Sequence, residues 1–140
     1  MINRIILLTM LLFLGGCATT LDGTRYLSQE PRFDLFNFFN GDVRAWGIVQ
    51  NRSGEVVQRF EVDIDGNVSG QTLTLDETFR YSLGDGVKER VWTITREDDG
   101  SYVGGAGDIL GPASGSSYGN AFRWTYAMDL PVEDQTYRVK

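Results

Sequence analysis

The run Asn120 to Leu130 constrains the fold most. Phe122, Trp124, Tyr126, Met128 and Leu130 alternate there with Ala121, Arg123, Thr125, Ala127 and Asp129. Only an extended chain, with its period of two, collects that apolar set on one face. The same period recurs upstream. In Glu55 to Asp65, Val56, Phe60, Val62 and Ile64 oppose Val57, Arg59, Glu61, Asp63 and Asp65. In Gln71 to Tyr81, Leu73, Leu75, Phe79 and Tyr81 oppose Thr72, Thr74, Asp76, Thr78 and Arg80. Half-buried antiparallel strands read this way.

Turn signals separate the strands. Asn51-Arg-Ser-Gly54, Asp65-Gly66-Asn67, Leu83-Gly-Asp-Gly86, Asp98-Asp-Gly100 and Pro131 to Gln135 mark reversals, each rich in the residues that tight turns favour. Asp42 to Gln50 and Val87 to Arg96 are strand-like, Ser101 to Ile109 is a glycine-rich strand, and Thr136 starts another. Leu110 to Tyr118 reads as a flexible Gly/Ser/Pro loop. The phenylalanine-dense stretch Pro31 to Asn40 fits either a strand or a short helical turn. Six or seven strands joined by local hairpins, with no amphipathic helix pattern, indicate an all-β antiparallel up-and-down meander. Closure into a barrel removes its edges and is favoured over a two-sheet sandwich. The chain stops at Lys140 in mid-strand, so the barrel is expected to be incomplete here and the natural protein to continue.

The N-terminus carries a different message. Arg4 precedes ten mostly apolar residues, Ile5 to Leu14, followed by Gly15, Gly16 and the single cysteine, Cys17. That is the layout of a secretory signal peptide, too short in its apolar run to span a bilayer. Leu14-Gly15-Gly16-Cys17 resembles a bacterial lipobox, in which the cysteine is acylated and becomes the first mature residue. With no second cysteine, a disulfide is impossible within the chain. The expected organisation is a signal peptide over 1–16, a lipidated tether over 17–29 and a β-barrel domain over 30–140. Two or more acyl chains give stable anchoring where one does not, so the expected partner is a membrane leaflet, reached through the lipid.

Composition removes several function classes. The formal net charge is −6, and removing the signal takes away Arg4 and no acidic residue. An acidic body argues against nucleic acid and against electrostatic attachment to anionic lipid. There is no histidine, hence neither the commonest general base nor the commonest metal ligand. No metal or other cofactor is expected, and no enzyme activity. Ser114-Gly-Ser-Ser117 has no histidine partner for a serine triad. Asp76 and Glu77 are adjacent in a strand and point to opposite faces, which rules out a glycosidase pair. Gly104-Gly-Ala-Gly-Asp108 lacks the lysine and the following helix of a phosphate loop; its glycines suit a bulge or sharp bend.

Glu77 breaks the pattern. It falls at an inward position between Leu75 and Phe79, where alternation calls for an apolar side chain. Pairing through Leu83 to Gly86 sets Phe79 near Arg90 and Glu77 near Trp92, with Glu77 and Arg90 as a diagonal pair. Either the two form a buried structural ion pair or sit at a wet barrel mouth, or they are a polar anchor for an apolar guest inside a small barrel. Trp46, Trp92, Trp124 and Tyr126 are candidates to line such a cavity, against the alternative that they are packed core. The candidate ligand-binding set is Glu77, Arg90, Trp92, Trp124 and Tyr126.

Phe33-Asp-Leu-Phe-Asn-Phe-Phe-Asn-Gly41 and Ala45-Trp-Gly-Ile-Val-Gln50 belong to a combination that resembles a known family. Phe60 and Val62, Leu75-Asp-Glu-Thr-Phe79, Gly104-Gly-Ala-Gly-Asp108 and Tyr126 to Val132 complete it. Together they resemble the proteobacterial lipoproteins grouped as the domain of unknown function 3833, over about Tyr26 to Lys140. The resemblance implies a lipocalin-like barrel that runs on for further strands, and a function not yet characterised; it carries over no catalytic residue. It also implies Gram-negative sorting, in which Ala18 after the acylated Cys17 directs the protein to the periplasmic face of the outer membrane. The expected role is an outer-membrane-anchored lipoprotein that binds or carries a small hydrophobic ligand. The alternative is a structural or interaction lipoprotein of the envelope with a filled core.

Overall fold

The computed structural model describes residues 22–51, 53–82, 87–132 and 135–139. The expected signal peptide over 1–16, Cys17, the expected turn Leu83 to Gly86 and Lys140 lie outside the described residues. Eight strands follow one another as a single antiparallel sheet in the order of the chain. They are β1 (Gly41–Gln50), β2 (Val56–Ser69), β3 (Thr72–Tyr81), β4 (Val87–Arg96), β5 (Tyr102–Ala106), β6 (Ile109–Tyr118), β7 (Ala121–Val132) and β8 (Gln135–Val139). Among the described residues no ladder joins β1 to β8. The sheet nevertheless curls. Trp92 on β4 touches Trp124 and Tyr126 on β7, three strands away, at ring-centroid distances of 5.6 and 5.3 Å. The meander is therefore an open half-barrel with a concave, apolar inner face.

Inner positions follow the alternation. Val62, Ile64, Leu73, Leu75, Trp92, Ile94 and Tyr102 are buried on it. Leu73, near the floor end, has no exposed surface and faces Val68 on one side and Ile94 on the other.

Three sequence expectations fail, each for a packing reason. Asp65-Gly66-Asn67 is not a turn; β2 runs through it to Ser69. Gly66 is small because the backbone carbonyl of Phe39 lies against it, where a Cβ would collide. Leu110 to Tyr118 is not a loop but most of β6. Its inward Gly115 is small because Trp124 of β7 covers that space: a Cβ there would sit 2.5 Å from the Trp124 ring, whose far edge reaches Gly104 of β5. The tether does not extend to Gln29 either. Gly23–Tyr26 form a 3-10 turn with Gly23 buried beneath the Tyr118 ring, so the folded body reaches back at least to Asp22.

The open phenylalanine segment resolves as a short helix, α1 (Leu35–Phe39). Asp34 caps it, its carboxylate accepting from the Asn37 N–H at 3.0 Å. Arg96 Nη2 donates to both Asp34 oxygens at 3.0 and 3.1 Å while its guanidinium lies over the Phe36 ring, 4.4 Å from the centroid. Leu35 and Phe36 are buried, and Phe33 packs on Phe122. The 3-10 turn and α1 thus close one end of the half-barrel as a floor. The other end, where Phe60, Tyr81 and Lys88 lie, is the rim.

Candidate functional site

The ladders fix what the inner face presents, one cross-strand row at a time. Ile64 pairs with Glu77 and Glu77 with Arg90. Trp92 pairs with Ala106, which sets Asp108, two residues on, beside Arg90. The row below toward the floor is Gly66, Leu75, Trp92 and Ala106. The row above, toward the rim, contains Val62, Phe79 and Lys88. A polar layer of Glu77, Arg90 and Asp108 thus crosses an otherwise apolar concave surface.

The expected register is off by two residues. Glu77 stands directly opposite Arg90, not diagonal to it, and Leu75 rather than Glu77 faces Trp92. A shift of two preserves the face, so the two charges still meet inside. Their contact is long: Arg90 Nη1 is 3.9 Å from Glu77 Oε2. The short bonds of Arg90 go to Asp108, whose Oδ2 accepts from Nη2 at 2.6 Å and from Nε at 3.0 Å. The Arg90 guanidinium also lies over the Phe79 ring, 5.2 Å from its centroid.

Burial differs along this layer and decides the electrostatics. The side chains of Glu77 and Arg90 are 13% and 18% exposed, that of Asp108 45%. Desolvation pushes the Glu77 carboxyl above its ordinary value, opposed by the charge of Arg90 and by a hydrogen bond from the Trp92 side chain. For Arg90, burial works against the charged form, but the hydrogen bond and charge of Asp108 outweigh it and hold the guanidinium charged. One atom is left over. Glu77 Oε2 is buried and has no hydrogen-bond partner among the described residues.

A carboxyl that holds its proton more tightly folded than unfolded contributes stability that is fully present below the ordinary value of about 4.5. That stability is lost as pH rises through the raised folded value. Glu77→Gln removes this term, and Arg90 keeps Asp108. The variant is expected to match or exceed the parent by up to about 1 kcal/mol near neutral pH and to remove the Glu77 contribution to the loss of stability as pH rises above the ordinary carboxyl value of about 4.5. Denaturant titrations through that rise check it; a loss above about 2 kcal/mol at neutral pH would mean that the long Glu77–Arg90 contact is a stabilising ion pair.

The structure brings together all five expected ligand-binding residues. Trp92 stacks edge-on against both Trp124 and Tyr126, below the polar layer, and Phe122 continues the aromatic wall toward the floor. Trp46 does not join them. It is 68% exposed, on the outer face of β1. Sequence reasoning missed Asp108, which occupies the β5–β6 turn; counting the β4–β5 register from Trp92 back to Arg90 would have found it.

Two clefts lie on the outer face, across the sheet from Glu77. One, of about 550 Å³, is lined by Trp46, Ile48, Arg59, Glu61 and Arg80; the other, of about 660 Å³, by Asp42, Arg44, Asp63, Asp65 and Asp76. Neither joins an apolar wall to a buried polar group, as the concave face does. Among the described residues no three His, Cys, Asp or Glu side chains are grouped to hold a metal ion.

No curated protein and no solved structure matches the chain. The family described as "Protein of unknown function (DUF3833)" matches residues 11–140, which includes every strand and the floor. With that match spanning nearly the whole sequence, the chain belongs to the DUF3833 family.

Proposed function

We propose that this is a lipoprotein, acylated at Cys17 and held to the periplasmic face of the outer membrane, whose half-barrel binds or carries a small hydrophobic, lipid-like ligand. In this reading it is not an enzyme and needs no cofactor. The observation that carries the binding role is the concave face itself. An aromatic wall of Phe79, Trp92, Trp124 and Tyr126 meets one buried polar layer, the composition of ligand sites, which are mostly apolar with a few polar groups that orient the guest. The anchor rests on the Leu14-Gly15-Gly16-Cys17 motif.

Both halves can be tested on one preparation. Protein from cells fed labelled fatty acid is expected to carry the label, and a Cys17→Ser form to lack it. Native mass spectrometry of the full-length protein is expected to reveal an exchangeable apolar guest. An unlabelled protein would end the anchor reading, and a guest-free spectrum with no uptake of added lipid would end the carrier reading.

The second reading, a structural or interaction lipoprotein, draws on the outer face. Trp46, Ile48 and Val57 are large, apolar and exposed there. Cross-linking in cells that recovered one defined protein partner through Trp46 would favour it.

A further inference from the structure

The polar layer constrains the head group of the ligand. Arg90 is the obvious receptor for an anionic head, but Asp108 already occupies its fork at 2.6 and 3.0 Å. A carboxylate entering the layer would therefore meet an engaged cation flanked by two negative side chains. The unmet demand is of the opposite kind. Glu77 Oε2 is an acceptor, buried, and without a hydrogen-bond partner among the described residues; leaving such a group unsatisfied is costly.

The other inward charges do not change this balance. Lys88, one row nearer the rim, lies over the Tyr81 ring at 5.6 Å. Arg96 and Asp34 bind each other at the floor. Arg90 gives its short bonds to Asp108 and only a long 3.9 Å contact to Glu77 Oε2, which leaves the Glu77 charge only partly compensated. The Trp92 side chain hydrogen-bonds Glu77 and its ring meets Tyr126 edge-on, and aromatic faces attract cations.

We propose that the ligand is an apolar molecule bearing a protonated amine, whose N–H groups dock on Glu77 Oε2 with the chain lying along the aromatic wall. The inference rests on the ligand-binding reading above and adds the chemistry of the head. It makes Glu77 the specificity-determining residue and Asp108 the residue that turns fatty acids away.

Three probes with one chain length separate the heads: octylamine, octanol and octanoate. Each is titrated near neutral pH into the full-length protein in lipid nanodiscs, with empty nanodiscs as the blank, following calorimetry and tryptophan fluorescence. Octylamine is expected to bind at least about tenfold tighter than octanoate, with octanol between, as a charge-assisted hydrogen bond implies. In Glu77→Gln the advantage of octylamine over octanol should fall to about threefold or less. Asp108→Asn frees the Arg90 fork, and octanoate should then bind at least about tenfold tighter than to the parent.

Octanoate binding the parent as tightly as octylamine overturns the head-group assignment and leaves the apolar-ligand reading standing. No saturable binding of any probe overturns both. Should Glu77→Gln fail to fold by circular dichroism, Asp108→Asn decides alone: unchanged octanoate affinity sinks the proposal.

Discussion

Leu73→Ala is expected to lower the stability of the domain by about 3 to 5 kcal/mol. Leu73 has no exposed surface, and its neighbours cannot close over the space it leaves. Val68 and Ile94 face it from strands fixed on either side by the β2–β3 and β3–β4 ladders. The loss therefore combines the transfer of the missing methyl and methylene groups with most of the cavity term. Set against a total of about 5 to 15 kcal/mol for an ordinary domain, that is enough to leave a large unfolded fraction. Thr93→Ala, on the exposed outer side of the same sheet, is the matched control and should stay within about 0.5 kcal/mol. Denaturant titration followed by tryptophan fluorescence measures both. A cost below about 1 kcal/mol for Leu73→Ala would mean that the concave face is not packed as a core.

Gly66→Val should cost about 3 kcal/mol or more, although strand propensity alone favours valine over glycine. The carbonyl of Phe39 lies where the new Cβ would be, and it belongs to backbone, which cannot swing aside like a side chain. Either β2 bends or α1 leaves the floor. If α1 leaves, the Phe38 amide, which donates to the Asp34 carbonyl at 3.0 Å, should exchange its hydrogen much faster than in the parent. Gly105→Val offers the contrast, since nothing lies within 4 Å of a Cβ at that position; it should be tolerated or slightly stabilising. Equal effects of the two substitutions would show that the floor contributes little to the fold.

Gly66 and Gly115 also explain which parts of the fold were legible beforehand. Strands β2, β3 and β7 declare themselves because each carries its own large apolar residues at most alternate positions. In β6 the same space is filled from next door. Trp124 covers Gly115, so the apolar pattern of that pair of strands is written largely on β7, and β6 looks like a loop. Gly66 misleads for a related reason. A glycine between Asp65 and Asn67 is good turn chemistry, and nothing local reveals that a helix backbone from Phe39 needs the gap. The placement of Glu77 was readable because an acidic residue at an apolar position violates a period that its neighbours keep. Its partners were only half readable. Parity put Arg90 on the same face, while the register of β3 against β4 differs from the expected one by two residues, and Asp108 depended on a second register beyond it.

The sealed end has a geographic consequence. The chain enters the body at Asp22, next to the Tyr118 ring and the floor. If Cys17 is the anchor proposed above, five residue steps separate it from that point, a reach of at most about 18 Å. Strands of ten residues such as β1 and β3 carry the rim a further thirty or so ångströms away. The molecule then stands on its plugged base like a goblet on a table, with its lip toward the aqueous compartment. On that proposal the rim, where Phe60, Tyr81 and Lys88 lie, is the end of the half-barrel that faces away from the anchoring leaflet.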